Sequence, residues 1–301
     1  MNQTDRNLTP PTISIGMPVF NCEMFIREAI DSLLVQTYSD FELIISDNSS
    51  TDSTAAICLE YASRDARIRY IRQSENRGVT ANFQFVLNEA VGEHFMWAAG
   101  DDKNEPEFIE RLLGVFKEDE EVVLAMSDVK NISESGSYLS VSRLENIRIQ
   151  DVKGNWRNIR PLFFENPTSQ IFYSLYGLFR TAILRQTSLD YFGLVKFASG
   201  AEIPILAQIA TKGKIASIAE ELKIYRRQSN SVSMREEEAT DLWMRLRNLT
   251  NISTCLIKIA MRSDLSLIDK LRAIHATLKT GFYKIAGFLL RRIHRPSVNP
   301  K

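Results

Sequence analysis

The chain has 301 residues, 44% of them hydrophobic and 25% charged, with a formal net charge of zero. That is an ordinary globular composition, enough for one large domain with an appendage, and it carries no nucleic-acid signal. The charge is unevenly spread: from Lys270 onward there are eight Lys or Arg and no Asp or Glu, a basic tail that points to an anionic partner such as a membrane surface.

Cys22, Cys58 and Cys255 lie far apart with no C-x-x-C spacing, which fits a reducing compartment and structural burial. Met1 to Pro11 is polar, without a basic-then-apolar signal segment, and no apolar run reaches the roughly 18 residues of a membrane span. A cytoplasmic protein is expected, at most peripheral on the inner face of a membrane.

Ile13 to Phe20 reads as a first strand buried on both faces. Phe25, Ile26, Ala29, Ile30, Leu33 and Leu34 then step at helical spacing. Phe41 to Ser46 is a second strand, ending in Asp47-Asn48-Ser49-Ser50-Thr51-Asp52, and a helical pattern runs from about Ser53 to Ala62. Ile68 to Arg72 is a third strand, followed by Glu75-Asn76-Arg77-Gly78 and a helix to about Val91. His94 to Ala99 is a fourth strand, a helix with Pro106 in its first turn follows, and Val122 to Met126 is a fifth strand. Five alternations with short connections predict a parallel sheet with helices on both faces. From Ser127 to Asn166 the alternation fails and the chain reads as loops with a hairpin. Tyr173 to Arg180 reads as a strand, Ile203 to Ala210 as a helix, and Lys214 to Ile218 and Leu222 to Arg227 as two extended segments. After Ser233 the pattern is helical to about Ile293.

Three strand ends carry polar turns: Asp47-Asn48, Arg77-Gly78 and Asp101-Asp102. In an open parallel sheet such ends lie on one edge, where ligands bind. Adjacent carboxylates repel, a divalent cation relieves that repulsion, and hard oxygen ligands suit Mg or Mn together with substrate phosphate oxygens. An acceptor carboxylate, a cation and a metal pair on one edge suit a nucleotide with a diphosphate. Each turn has a plainer role as well: Asp101 and Asp102 can cap the helix that follows them, Asp52 can cap the helix that starts at about Ser53, and Arg77 can be a surface charge. Neither G-x-G-x-x-G after the first strand nor G-x-x-x-x-G-K-[ST] occurs, and His94, His275 and His294 form no metal-spaced set.

Ile15-Gly16-Met17-Pro18-Val19-Phe20-Asn21, Ser46-Asp47-Asn48-Ser49-Ser50-Thr51-Asp52-Ser53-Thr54, Glu75-Asn76-Arg77-Gly78, Gly100-Asp101-Asp102 with Pro106, and Tyr225-Arg226-Arg227 occur in that order. With these matches, residues 13–230 resemble the family 2 inverting glycosyltransferases of the GT-A fold. The resemblance implies a single Rossmann-like α/β domain with a mostly parallel central sheet over residues 12–235, between a polar tail (1–11) and a basic helical extension (236–301). It implies a nucleotide-diphosphate sugar as donor, Mn or Mg as cation, and a glycan or lipid-linked acceptor. Pro18, Phe20, Asn21, Glu23, Asp47, Asn48, Arg77, Gly78 and Asp101 would bind the donor, with Pro18 and Phe20 lining the base pocket and Asp47 holding the base. Asp101 and Asp102 would hold the metal, and Glu202 would be the general base.

The chain departs from the family pattern in three places. Ala99 stands where an aspartate often begins the acidic turn, Glu202 where the base is usually aspartate, and Gln228 where a histidine often follows the arginines. No Q-x-x-R-W occurs, so addition of one sugar per reaction is expected rather than processive synthesis, in surface polysaccharide or glycolipid assembly. Asp190, Glu220 and Glu221 are the other candidates for the base. A sugar-phosphate nucleotidyltransferase and a catalytically silent nucleotide-sugar-binding protein are the rival readings. In the tail, Ile268, Leu271, Leu278, Phe282, Ile285 and Leu289 share a helical face bordered by Lys270, Arg272, Lys279, Lys284, Arg291 and Arg292, the pattern of an interfacial helix. A helix packed on the domain with a solvated basic face is the alternative.

Overall fold

The computed structural model describes residues 10–144, 171–187, 202–228 and 242–293. Asp190, the turn 199–201 and the side chains of Phe282, Ile285 and Leu289 lie outside the described residues.

The chain opens with β1 (Ile13–Val19), α1 (Ile26–Leu34), β2 (Phe41–Asp47), α2 (Thr54–Arg64), β3 (Ile68–Arg72), α3 (Val79–Glu89) and β4 (His94–Trp97). It continues through a two-residue strand β5 (Lys103–Asn104), α4 (Phe108–Glu118), β6 (Val122–Ile132) and β7 (Tyr138–Ser142). After a 3-10 helix (Ile171–Tyr176) come β8 (Leu178–Arg180), α5 (Thr181–Arg185), α6 (Glu202–Ala210), β9 (Lys214–Arg226), α7 (Leu242–Arg262) and α8 (Leu267–Ile293). One nine-stranded sheet holds the strands in the order β3-β2-β1-β4-β8-β6-β9-β5, with β7 against β6. β1, β2, β3, β4, β6 and β9 run one way; β5, β7 and β8 run against them.

The central strands are continuously apolar because both faces are covered. On one face Ile15, Met17, Leu43 and Ile45 meet α1 through Ile26, Ile30 and Leu33, and α4 through Phe108, Leu112 and Phe116. On the other, Ile44, Phe95, Trp97 and Phe179 meet Val86 of α3 and Ile205 and Leu206 of α6. Leu256, Ile259 and Ala260 of α7 and Ala273 and Ala276 of α8 belong to that second cluster, so the terminal helices share the core of the sheet. Among the described residues no helix is long and apolar enough to cross a membrane.

Three expectations are corrected. β6 runs on to Ile132, because its polar residues are satisfied: Asp128 accepts from the Leu144 N–H at 2.8 Å and pairs with Arg143, and Asn131 accepts from the Tyr173 hydroxyl at 2.5 Å. The expected strand from Tyr173 is a 3-10 helix to Tyr176, and only Leu178–Arg180 is extended. Phe172 and Tyr173 stack edge-on against Tyr225, with ring centroids 5.3 and 5.1 Å away, and that packing overrides the strand pattern. The two segments expected around Glu220 are one strand, β9, with a bulge: Ser127 pairs with Ile218 and Asp128 with Glu221. Glu220 and Glu221 point to Arg111 and Arg143 respectively, which occupies both as ion-pair partners.

His94 is buried at the amino end of β4, edge-on to Phe116 at 4.7 Å, and neither ring nitrogen has a hydrogen-bond partner among the described residues. Burial pushes its pKa below the ordinary histidine value, against the pull of Glu93 and with the help of Arg180. The unfolded chain therefore takes up this proton first as pH falls through about 6.5. The stability that neutral His94 supports is present above that pH and is lost below it. In thermal melts at neutral and mildly acidic pH, His94→Leu should lose less melting temperature on acidification than the parent chain; an equal loss would assign the acid sensitivity elsewhere.

Candidate active site

β1, β2 and β4 are neighbours and parallel, so the turns after Val19, Asp47 and Trp97 open on one edge. The β1 and β2 turns are laced together. Asn21, in the left-handed region at φ 51°, accepts the Thr51 N–H at 2.8 Å and donates its own N–H to Ser50 Oγ at 3.0 Å. Glu23 accepts the Ser53 N–H at 2.8 Å, and its N–H goes to Asp52 at 3.1 Å. Asp52, just before the Ser53 N-cap, also accepts the first N–H of α2, that of Thr54, at 3.0 Å.

Asp47 is fully buried beneath this lacework. One carboxylate oxygen accepts the Ser50 N–H and the other the Tyr70 hydroxyl, both at 2.8 Å. Burial first, and then Asp47, push the Tyr70 hydroxyl well above its usual acidity range. Asn48 is buried as well and ties in the third turn. Its amide accepts the Arg77 N–H at 2.9 Å and donates to Asn76 Oδ1 at 2.9 Å and to the Gly78 carbonyl at 3.3 Å. Gly78, at φ +84°, supplies the left-handed backbone that starts α3. Arg77 is exposed beside it. Pro18 is half-buried, and Phe20, Asn21 and Glu23 are exposed on the same edge.

The acidic turn after β4 presses on the β1 turn. A Cβ on Gly100 would lie 3.2 Å from both Cys22 Sγ and Val19 Cγ1, so the small residue permits the approach. Cys22 marks the meeting point: burial pushes its thiol up to about 11, and Asp101, Asp52 and Asp47 all add to the shift.

The two aspartates of the turn have different surroundings. Asp102 is buried; its Oδ1 accepts the Arg226 N–H at 3.0 Å and its Oδ2 lies 3.2 Å from Lys223 Nζ, itself buried. Lys223 also sits 5.1 Å from the centre of the Tyr176 ring. The pairing of β5 with β9, Lys103 opposite Ile224 and Asn104 opposite Lys223, sets this contact. Asp101 is half-buried, with one oxygen held by Gln228 Nε2 at 2.5 Å and its carbonyl by Arg226 Nε at 3.0 Å. Burial, and next the charge of Asp102, push its carboxyl up to about 7, while Lys223 and Gln228 pull it down. Among the described residues no group of three His, Cys, Asp or Glu able to hold a metal is present. In the acidic turn itself Asp101 is the partly accessible carboxylate and Asp102 the buried one; a single carboxylate suits only a cation that brings phosphate oxygens as further ligands.

Glu202 begins α6 and is buried. Tyr176, whose ring lies under Lys223, feels the charges of both Glu202 and the acidic turn. Burial drives the Tyr176 hydroxyl far above its usual range, and Asp102, Asp101, Tyr225 and Glu202 all add to that shift.

The sequence reading missed Tyr70, Lys223 and the separate surroundings of Asp101 and Asp102. A lysine in a strand that reaches the acidic turn was the available signal; the β5–β9 register that buries it is not visible in sequence. A clear contrast follows. Asp102→Ala leaves Lys223 buried and unpaired, which should cost about 3–5 kcal/mol. Asp101→Asn removes a charge that burial and Asp102 disfavour, so its stability at neutral pH should equal or exceed that of the parent. Denaturant titration measures both, and equal stability of the two variants would contradict the different surroundings.

Residues 14–187 match the family Glycosyl transferase family 2. The chain is 28% identical over 223 residues to the uncharacterized glycosyltransferase EpsJ of Bacillus subtilis, a match that covers 74% of this chain and 63% of that protein. It is 31% identical over 130 residues to the chondroitin synthase of Escherichia coli, covering 43% of this chain and 19% of that one. The chain thus spans less than two thirds of these curated relatives. In fold it is similar to S. aureus TarS, solved with UDP-GlcNAc (TM-score 0.64, 17% identity, 90% of this chain and 73% of that). It is also similar to the mannosyltransferase PcManGT of Pyrobaculum calidifontis, solved with GDP-Man and Mn2+ (TM-score 0.56, 16% identity, 96% of this chain and 77% of that). The sheet with its parallel central strands, the laced turns on its carboxyl edge and the match over residues 14–187 agree: the chain belongs to glycosyl transferase family 2.

Proposed function

We propose that the chain transfers one sugar, with inversion, from a nucleotide-diphosphate sugar to an acceptor hydroxyl. The observation that carries this is the convergence of the β1, β2 and β4 turns around Cys22, with the turn after β3 tied to them through Asn48, so that Phe20, Arg77 and Asp101 lie on one edge. The relatives' UDP-GlcNAc and GDP-Man complexes support a nucleotide-sugar donor. Pro18 and Phe20 would border the base, with the Asp47 and Asn48 turn shaping that pocket from beneath. Asn21 and Glu23 would act by fixing the two turns. Arg77 and the backbone at Gly78 would meet the diphosphate.

Asp101 would hold a Mn or Mg ion, and Asp102 would set its position from behind. Bound there, the cation would neutralise the leaving diphosphate. Glu202 would take the acceptor's proton. Its place at the amino end of α6 favours the carboxylate anion, and the helix holds it rigidly. The acceptor would be a glycan or a lipid-linked glycan in surface polysaccharide or glycolipid assembly, met by an enzyme peripheral to an anionic membrane.

Mn-dependent release of the free nucleoside diphosphate from a nucleotide sugar tests the reading. Glu202→Gln should lose about 10²–10⁴ in transfer rate while still binding donor. Glu202→Asp should retain part of the activity. Release of pyrophosphate would instead indicate a nucleotidyltransferase, and near-parent transfer by Glu202→Gln would move the base to another residue.

A further inference from the structure

The terminal helices bury one face and leave the opposite one apolar. Ala273, Ala276 and Thr277 of α8 are buried in the core. On the other side of the same helix Leu267, Ile268, Leu271 and Leu278 are 57–73% exposed. At 3.6 residues per turn these four, with the exposed His275, fall within an arc of about 100°. Met261, at the end of α7 just before the turn into α8, is exposed too. Packing among the described residues does not account for four large apolar side chains in one stripe.

Charge says what the stripe meets. α7 and α8 together carry ten Lys or Arg and a single acidic residue, Asp269. Asp269 is already paired with Arg272 at 3.1 Å. Arg272 and Lys279 border the stripe on one side and Lys270 on the other. A second copy would bring the same positive charge against this face, which disfavours a symmetric pairing. An apolar stripe bordered by cations matches a bilayer with anionic headgroups.

We infer that the exposed face of α8, centred on Leu267, Leu271 and Leu278, is a docking surface for anionic lipid. It rests on the reading of a membrane-peripheral enzyme and deepens it by assigning the surface. The apolar stripe would enter the headgroup boundary, while Arg262, Lys270, Arg272 and Lys279 would remain at the phosphates.

Vesicle sedimentation of the full chain tests this, with phosphatidylcholine alone or mixed with phosphatidylglycerol, at low and high salt. The chain should sediment only with the mixed vesicles, less so at high salt. Leu271→Gln with Leu278→Gln should lower that partitioning at least about tenfold, since both side chains are exposed and the fold does not need them. Arg272→Gln and Lys279→Gln should each lower it roughly fivefold. Donor binding, followed in the same variants, should not change, so a failure of lipid docking is separable from a failure of the transferase reading. No sedimentation with phosphatidylglycerol would overturn the inference. So would unchanged partitioning of the leucine variant, or self-association in sedimentation velocity that the leucine variant abolishes while vesicle binding persists.

Discussion

A buried ion pair holds the acidic turn in place. Asp102 lies between the backbone N–H of Arg226 and the ammonium of Lys223, all closed off from water. Two charges in such surroundings carry a desolvation cost, and the pair is valuable chiefly because losing either partner is worse. It ties the end of β4 to the end of β9, residues far apart in sequence, through the two-residue strand β5. Arg226 extends the tie: its guanidinium reaches Glu28 on α1 at 2.8 Å and the carbonyls of Asp101 and Glu134 at 3.0 Å. The position of Asp101, the accessible member of the acidic pair, follows from this network.

The other half of the site depends on polar side chains that serve backbone. Asn21, Glu23, Asn48 and Asp52 accept N–H groups from neighbouring turns, and Asp47 accepts one from its own. Turns at a sheet edge leave backbone donors without partners, and these residues satisfy them. The result is a pre-shaped rim on which few groups need to move when a ligand arrives. Preorganisation of this kind spends the ordering cost at folding rather than at binding.

Much of the architecture was legible because burial on both faces leaves a clear record. The apolar runs at Ile13, Phe41 and His94, with helical spacing between them, place β1, β2, β4 and their helices. Legibility failed where long-range partners satisfy polar residues. Asp128 and Asn131 looked like loop residues until Arg143, Leu144 and Tyr173 were beside them. Glu220 and Glu221 looked like a break in β9 until Arg111 and Arg143 paired with them across a bulge. The same limit applied to the site. The sequence placed Asp47, Arg77 and Asp101 on one edge through strand order alone, but adjacency could not tell the accessible Asp101 from the buried Asp102. That distinction needs the register of β5 on β9.

The central claim is that this edge binds a nucleoside diphosphate through a cation held by Asp101. Calorimetric titration of the chain with UDP and with GDP, each with and without Mn2+, addresses it most directly. One of the two should bind, at least about tenfold more tightly with Mn2+, which corresponds to about 1.4 kcal/mol of coupling. Binding that is indifferent to Mn2+, or no binding of either nucleotide, would contradict the account.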